Sequence, residues 1–425
     1  MKKILIISYY WPPNSGSGVQ RWLKFSKYLL NYDCKPIVVT PENPYIELKD
    51  SELVKEVSNK IEVIKLPIWE PYSIKDKIFG KKKKSQTSGL ISKDSSLKIQ
   101  ALNWLRGNFF IPDPKKFWIK PTFNSLKKII KEKEISYVIS TGPPHSMHLI
   151  ALELKKIYSH IKWIADFRDP WTKLDILEDF NLNNRSKRIH KKLESEVLKY
   201  ADLVLTVSET WASDFVKLGA RNVEVITNGY DHQDFIDFKS TDTNKFIIGH
   251  YGIMNHLRNP SNLWSVLNVL CKENTEFDER LEIRLSGNID SNIIKEINSY
   301  SNLKSKLVLL GYLSHKDVLL EYSKANLLLL LLFNSISGEG NYPGKVFEYI
   351  ATKKSIIAFG PEKSDIKNLF LKGYGLYHSY NDDLINIKKN ILAVFRNENN
   401  IKQVENGEYS RKNLTKKLVN LLEKL

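Results

Sequence analysis

Short apolar, β-branched runs alternate with amphipathic segments along the chain, the pattern of parallel strands covered on both faces by helices. In the first half the runs predicted to be strands are Lys3–Ser8, Pro36–Thr40, Ile61–Leu66, Tyr137–Thr141, Trp163–Asp166, Leu203–Val207 and Glu224–Thr227. The pattern then restarts with Phe246–Tyr251, Glu282–Ser286, Leu307–Leu310, Leu327–Phe333 and Ser355–Phe359. This predicts an α/β protein of two Rossmann-like, doubly wound parallel-sheet domains, residues 1–228 and 246–405. The polar stretch 229–245, entered through Asn228-Gly229-Tyr230-Asp231, reads as the linker. Apolar residues at 414, 418, 421 and 422 predict an amphipathic helix in 406–425.

Two segments break the alternation. Ile74–Leu97 carries Lys81–Lys84 followed by small polar residues and reads as a mobile basic loop. In Ala101–Phe123 the residues Trp104, Phe109, Phe110, Phe117 and Trp118 interleave with Arg106, Lys115, Lys116 and Lys120. Such a mixture suits a membrane interface, an acceptor-site wall, or a helix packed on the sheet with amphipathic side chains at its rim.

Composition narrows the class. A chain of 425 residues exceeds one ordinary core. Its 42% hydrophobic and 27% charged content describes a globular protein. The longest apolar run, Leu327–Phe333, falls far short of the roughly 20 residues of a membrane helix. The N-terminal Met-Lys-Lys-Ile-Leu-Ile-Ile-Ser reads as a first strand rather than a signal peptide, because no small-residue cleavage site follows. Cys34 and Cys271 are the only cysteines, which predicts a reducing, cytoplasmic setting and neither disulfides nor structural zinc. The net charge of +17 fits anionic lipid, phosphorylated substrate or nucleic acid, or simply lysine-rich solvated helix faces such as Lys127–Lys133.

Candidate chemistry clusters where strands end, the edge that lines ligand crevices in open α/β sheets. After the first strand, Gly16 and Gly18 precede a helical stretch whose N-terminus offers amides to an anion. Arg21 stands where the third glycine of a dinucleotide fingerprint would be. Thr141-Gly142-Pro143-Pro144-His145 ends another strand, with His148 a turn further on. Asp166, Arg168 and Asp169 end the next; they form either an internal ion-pair network or a surface for polar substrate. In the second half Gly252 leads to Arg258-Asn259-Pro260, and a forked guanidinium suits a diphosphate. Gly338-Glu339-Gly340 precedes Pro343-Gly344-Lys345-Val346-Phe347-Glu348. Lys345 falls in a first helical turn, where a phosphate is favoured, and Glu348 lies three residues on. The plain alternative is an ordinary lysine–glutamate helical pair.

Taken in order and spacing, these stretches resemble a family 4 glycosyltransferase of the GT-B type over nearly the whole chain. The resemblance rests on Tyr9-Tyr10-Trp11-Pro12-Pro13, Thr141–Ser146, Asp166–Trp171, Val207-Ser208-Glu209, Asn228–Asp231, Arg258–Pro260 and Pro343–Tyr349. It implies two domains facing a cleft and retaining, metal-independent sugar transfer from a nucleotide-diphosphate donor, with no cofactor. The implied acceptor is lipid-linked or a glycan, in cell-envelope polysaccharide synthesis; the basic and aromatic segments Lys81–Lys84 and Ala101–Phe123 predict peripheral contact with the inner membrane face. The resemblance further implies that the C-terminal domain holds the nucleotide and that the last helix returns to the N-terminal domain. By the same resemblance Glu348 takes the ribose, Arg258 the diphosphate, Gly16 and Gly18 underlie the donor, and His145 sits near the transferred sugar. Asn259, Gly344 and Lys345 complete the donor set, His145, Glu339, Arg258 and Lys345 form the catalytic group, and Asp166, Arg168 and Asp169 lie on the acceptor side. Two departures stand out: Gly340 replaces the first motif glutamate, which puts Glu339 one residue early, and Leu263 occupies the place of a second cation. A nucleotide-sugar epimerase and a non-catalytic binding subunit are the rival readings. Nucleic-acid binding rests on charge alone, without a recognisable module.

Overall fold

The computed structural model describes all residues except 47–48, 72–96, 175 and 399–406. The Lys81–Lys84 loop therefore lies outside the described residues. The chain divides into two compact units, Met1–Asn228 together with Arg411–Leu425, and Gly229–Ser410.

The first unit contains β1 (Lys2–Ile7), β2 (Cys34–Pro41), β3 (Glu62–Leu66), β4 (Tyr137–Gly142), β5 (Lys162–Phe167), β6 (Leu203–Thr206) and β7 (Val223–Val225). They form one sheet of order β3-β2-β1-β4-β5-β6-β7, parallel throughout. The second unit contains β8 (Phe246–Tyr251), β9 (Leu281–Ser286), β10 (Leu307–Gly311), β11 (Leu327–Leu331), β12 (Ser355–Gly360) and β13 (Leu376–Ser379). Their order is β10-β9-β8-β11-β12-β13, again parallel. In each sheet the winding reverses beside the first strand, at β1/β4 and at β8/β11. That reversal opens a crevice at the carboxyl ends of those strands.

The helices that shape the sites are α1 (Ser17–Leu29), α2 (Ser146–Ile157), α3 (Asn184–Tyr200), α4 (Ser261–Glu273), α5 (His315–Lys324), α6 (Gly344–Thr352) and α7 (Arg411–Lys424). α7 packs on α1, and its Leu414, Leu418, Val419 and Leu422 join a buried cluster with Ile4, Val19, Trp22 and Leu23. In the second unit Leu263 of α4 is wholly buried in the core with Ile248, Ile283 and Leu329. Core packing is what that position supplies instead of a cation.

The structure alters or narrows four sequence readings. β13 was not anticipated, because Leu-Tyr-His-Ser is short, polar and only partly buried at the sheet edge. β11 ends at Leu331; Leu332 still donates to the Phe359 carbonyl at 2.9 Å, but Phe333 leaves the ladder to lie against Arg258. Ala101–Phe123 is not one helix. It spans the end of the helix Leu97–Phe109, the 3₁₀ turn Pro114–Trp118 and the start of the helix Ile119–Lys133, since Pro112 and Pro114 remove amide donors between them. Residues 229–245 belong to the second unit, where the Thr241 amide donates to the Ser323 carbonyl at 2.9 Å.

Candidate functional site

At the β8/β11 reversal the backbone leaves β8 through Gly252, whose amide donates to the Ser286 carbonyl at 2.8 Å. A Cβ on Gly252 would collide with the Lys345 ammonium, and its φ of 156° is itself a conformation that side chains rarely adopt. The chain then forms the 3₁₀ turn His256–Arg258, capped by the Asn255 side chain, which accepts from the Leu257 amide at 3.1 Å. The Asn334 amide fastens this turn to the loop after β11 by donating to the Leu257 carbonyl at 2.9 Å.

Arg258 projects from that turn onto the ring of Phe333, 3.6 Å from its centroid. Burial pulls its guanidinium down to about 10, and among the described residues it makes no ion pair. Its Nε is buried without a hydrogen-bond partner. Lys345, in the first turn of α6, donates to the Tyr251 carbonyl at 2.8 Å. Burial first, and the neighbouring Arg258 second, pull it down to about 7, with Glu348 opposing. Lys345 thus forms no helical ion pair with Glu348. Glu348 accepts instead from the Tyr322 hydroxyl at 3.1 Å and faces the His315 ring nitrogen at 3.3 Å, both on α5. Two cations share a partly buried site at the open N-terminus of α6, a place whose missing charge is an anion. His250, deeper under Lys345, is held down to about 3 by burial, so it adds no third charge.

Asn259, expected among the donor ligands, and Glu339, expected among the catalytic residues, do not join the two cations among the described residues. The Asn259 amide group donates to Glu296 at 2.6 Å and to Ser261 at 3.1 Å, while its oxygen accepts from Trp264 at 2.9 Å. That side chain is committed to fixing the Arg258 turn. Glu339 closes a one-turn helix, Ile336–Glu339, and among the described residues it pairs with neither Arg258 nor Lys345. Gly344 begins α6 with no side-chain cap, which leaves its first amides open to a ligand.

The first unit carries a second cluster at its own reversal. Gly16 sits exposed at the uncapped start of α1. Gly18 is glycine for a packing reason: a Cβ there would lie 2.7 Å from Arg168 and 3.1 Å from Tyr10. Arg168 donates to the Pro143 carbonyl and lies over Tyr10 at 5.8 Å. Asp169 beside it is raised by burial despite that guanidinium. Asp166 faces no substrate. Its carboxylate is fully buried and accepts from Arg21 Nη2 at 2.8 Å, Trp22 Nε1 at 2.7 Å and Thr141 Oγ1 at 2.9 Å. Of the two openings the sequence left for Asp166, the internal ion pair is the one realised, and Arg21 exists to hold it.

His145 stacks on Trp171 with centroids 4.8 Å apart and planes 2° from parallel. Trp171 in turn donates from Nε1 to His190 at 3.0 Å. Both His145 nitrogens are buried without a protein partner, and burial lowers the ring well below its usual value. It is a neutral imidazole that can give or accept one hydrogen bond. His148 differs: Ser140 holds its Nδ1 at 2.8 Å, and its ring stacks on Phe167, so its place is in the core. Sequence reasoning missed Arg21, Trp22, Tyr322 and His315, whose partners lie from 26 to 145 positions away. Among the described residues no three His, Cys, Asp or Glu side chains gather as metal ligands do, and no helix is long and apolar enough to cross a membrane.

Residues 92–234 match the family model Glycosyltransferase Family 4. No curated protein sequence matches the chain. Among solved structures, a glycosyltransferase from Rickettsia africae ESF-5 aligns with a TM-score of 0.62 at 16% identity, over 100% of this chain and 98% of its own. A lipopolysaccharide outer core galactosyltransferase aligns at 0.59 with 13% identity, over 100% of both chains. The S. aureus MnaA–UDP complex aligns at 0.55 with 13% identity, over 100% and 96%. At these identities the likeness establishes the fold.

Proposed function

We propose, from the match of residues 92–234 to the Glycosyltransferase Family 4 model and the GT-B fold of the chain, that the protein moves a sugar, with retention, from a nucleoside-diphosphate donor to a lipid-linked or glycan acceptor in cell-envelope polysaccharide synthesis. The observation that carries the reading is the unneutralised pair Arg258 and Lys345 at the N-terminus of α6. Departure of a nucleoside diphosphate develops charge on phosphate oxygens, and prearranged cations and amides stabilise it without reorganising. Glu348, held by Tyr322 and His315, accepts from the ribose hydroxyls. Gly16, Gly18 and the neutral His145 belong to the first unit, where His145 offers one hydrogen bond to a sugar hydroxyl. Arg168 and Asp169 face the acceptor side. The basic, aromatic surface of the first unit favours a second substrate, and so transfer over epimerisation of the donor alone.

The test is thermal stabilisation by a panel of nucleoside diphosphates, with Glu348→Ala alongside. One base should raise the melting temperature of the parent and do so much less in the variant. No shift with any nucleotide sinks the reading.

Lys345 supplies a further prediction. Near neutral pH it is half charged, and a bound diphosphate raises its pKa, so binding takes up protons above pH 7. Affinity should fall as pH rises from 7 to 9, by up to about tenfold per unit. Calorimetry in buffers of different ionisation enthalpy reads the uptake directly, and Lys345→Met should abolish it. In the free protein the sign reverses: above pH 7 the unfolded chain holds a proton on this lysine that the folded chain lacks. Through this group, stability therefore rises with pH up to about 10.4.

A further inference from the structure

The helix Leu97–Phe109 turns its apolar side outward. Leu102, Trp104, Leu105 and Phe109 are 40%, 41%, 44% and 59% exposed, and 102, 105 and 109 fall on one helical stripe. This orientation is fixed by the opposite side. A Cβ on Gly107 would lie 2.5 Å from Phe180, Arg106 sits over the Phe180 ring at 5.1 Å, and the Asn183 amide donates to the Asn108 side chain at 2.9 Å. The apolar surface continues across the next turn. The Lys116 ammonium donates to the Phe109 carbonyl at 2.6 Å and lies over Phe117 at 5.5 Å, and exposed Trp69 packs edge-on against Phe117 at 4.7 Å. Soluble surfaces rarely keep so many large apolar side chains together without a use.

Charge names the occupant. Residues 97–133 contain nine lysines and arginines against two acids, Asp113 and Glu132; of the nine, Lys115 is buried in an ion pair with Glu70 and Lys133 pairs with Glu62 at 2.8 Å. Asp113 is turned inward, accepting from the Ser146 amide and hydroxyl at 2.9 and 2.8 Å, and Glu132 is paired with Lys128 at 3.6 Å. Beside the helix, where Leu182 also lies against Gly107, is a cavity of about 550 Å³ lined by Asn181 and Leu182, with Lys187 and Lys191 on its wall and Glu178 the acid among its lining. A protein partner would leave unexplained both the excess of positive charge and the tryptophans at its rim. An anionic bilayer surface explains them together, since aromatic rings settle at the headgroup level and lysines meet phosphate. We infer that Leu97–Trp118 is a bilayer-docking edge that seats the first unit on anionic lipid, with Lys187 and Lys191 reaching headgroup phosphates beside it.

The full chain is sedimented with vesicles of phosphatidylcholine containing about 30 mol% phosphatidylglycerol, and with phosphatidylcholine alone. Binding is expected only to the anionic vesicles and is expected to weaken as salt is raised. Trp104→Ser with Phe109→Ser should weaken it at least about tenfold. Lys187→Glu with Lys191→Glu should weaken it roughly fivefold per lysine. In both variants the melting temperature and the nucleoside-diphosphate shift should match the parent, which separates this surface from the Arg258 site. A parent that ignores anionic vesicles, or an aromatic double variant that sediments like the parent, overturns the inference whatever the nucleotide result.

Discussion

Replacing Arg258 by alanine should lower kcat/KM for the nucleotide donor by about 10²–10³-fold, the usual loss when one prearranged charge donor is removed from a transition state. It should do so without lowering the melting temperature. The guanidinium makes no ion pair among the described residues, and burial already works against its charge. Its removal therefore relieves a desolvation cost and breaks no such pair, giving up the contact with the Phe333 ring, so the two effects offset. Activity and stability should separate, which an ordinary structural arginine would not allow. Arg258→Lys should recover only part of the rate, because an ammonium cannot fork across two phosphate oxygens. Steady-state turnover and a melting curve on the same preparation decide the matter. A variant within tenfold of the parent would remove the diphosphate from this place.

Asp166 should show the opposite separation. Asp166→Ala leaves the fully buried Arg21 guanidinium without its counter-charge, together with the indole of Trp22 and the hydroxyl of Thr141 that share the carboxylate. Breaking one side of a buried pair costs about 3–5 kcal/mol, so urea unfolding should shift to much lower denaturant. Removing both partners as Asp166→Leu with Arg21→Met should recover a large part of that loss, since no orphaned charge remains. A double variant no more stable than the single one would show that the network does more than neutralise itself. The pH dependence has a definite sign. Burial pushes the Asp166 carboxyl upward, but Arg21 and Trp22 outweigh it and hold the group below its ordinary range. Its contribution is present above the usual aspartate pKa and is lost as pH falls through the lower, folded value.

Strands were legible because sheets covered on both faces need unbroken apolar runs, and β8 ran as read, from Phe246 to Tyr251. β13 was not, since an edge strand with two half-buried polar positions writes no such run. Glycine context marked Gly344, Lys345 and Glu348 as a ligand-facing turn. Their partners were hidden, because Lys345 meets a carbonyl 94 positions upstream and Glu348 meets hydroxyl and imidazole groups on another helix. Asn259 shows the converse limit. A polar residue beside an arginine looks like a second ligand, and only its three contacts reveal a brace. Asp166 and Arg21 lie 145 positions apart, a pairing that no local spacing encodes.

The seating of α7 on α1 bears on how the protein is made. Leu414, Leu418, Val419 and Leu422 complete an apolar cluster whose other buried members all precede Asn228 and include Ile4, Val19, Trp22 and Leu23. On the ribosome the first 228 residues emerge early, yet the patch on α1 stays uncovered until all of Gly229–Ser410 has been translated. The second unit is one uninterrupted stretch and can finish while that patch waits. The unit begun first is thus the last to be closed, and the nascent chain carries a temporary sticky surface that a chaperone has reason to shield.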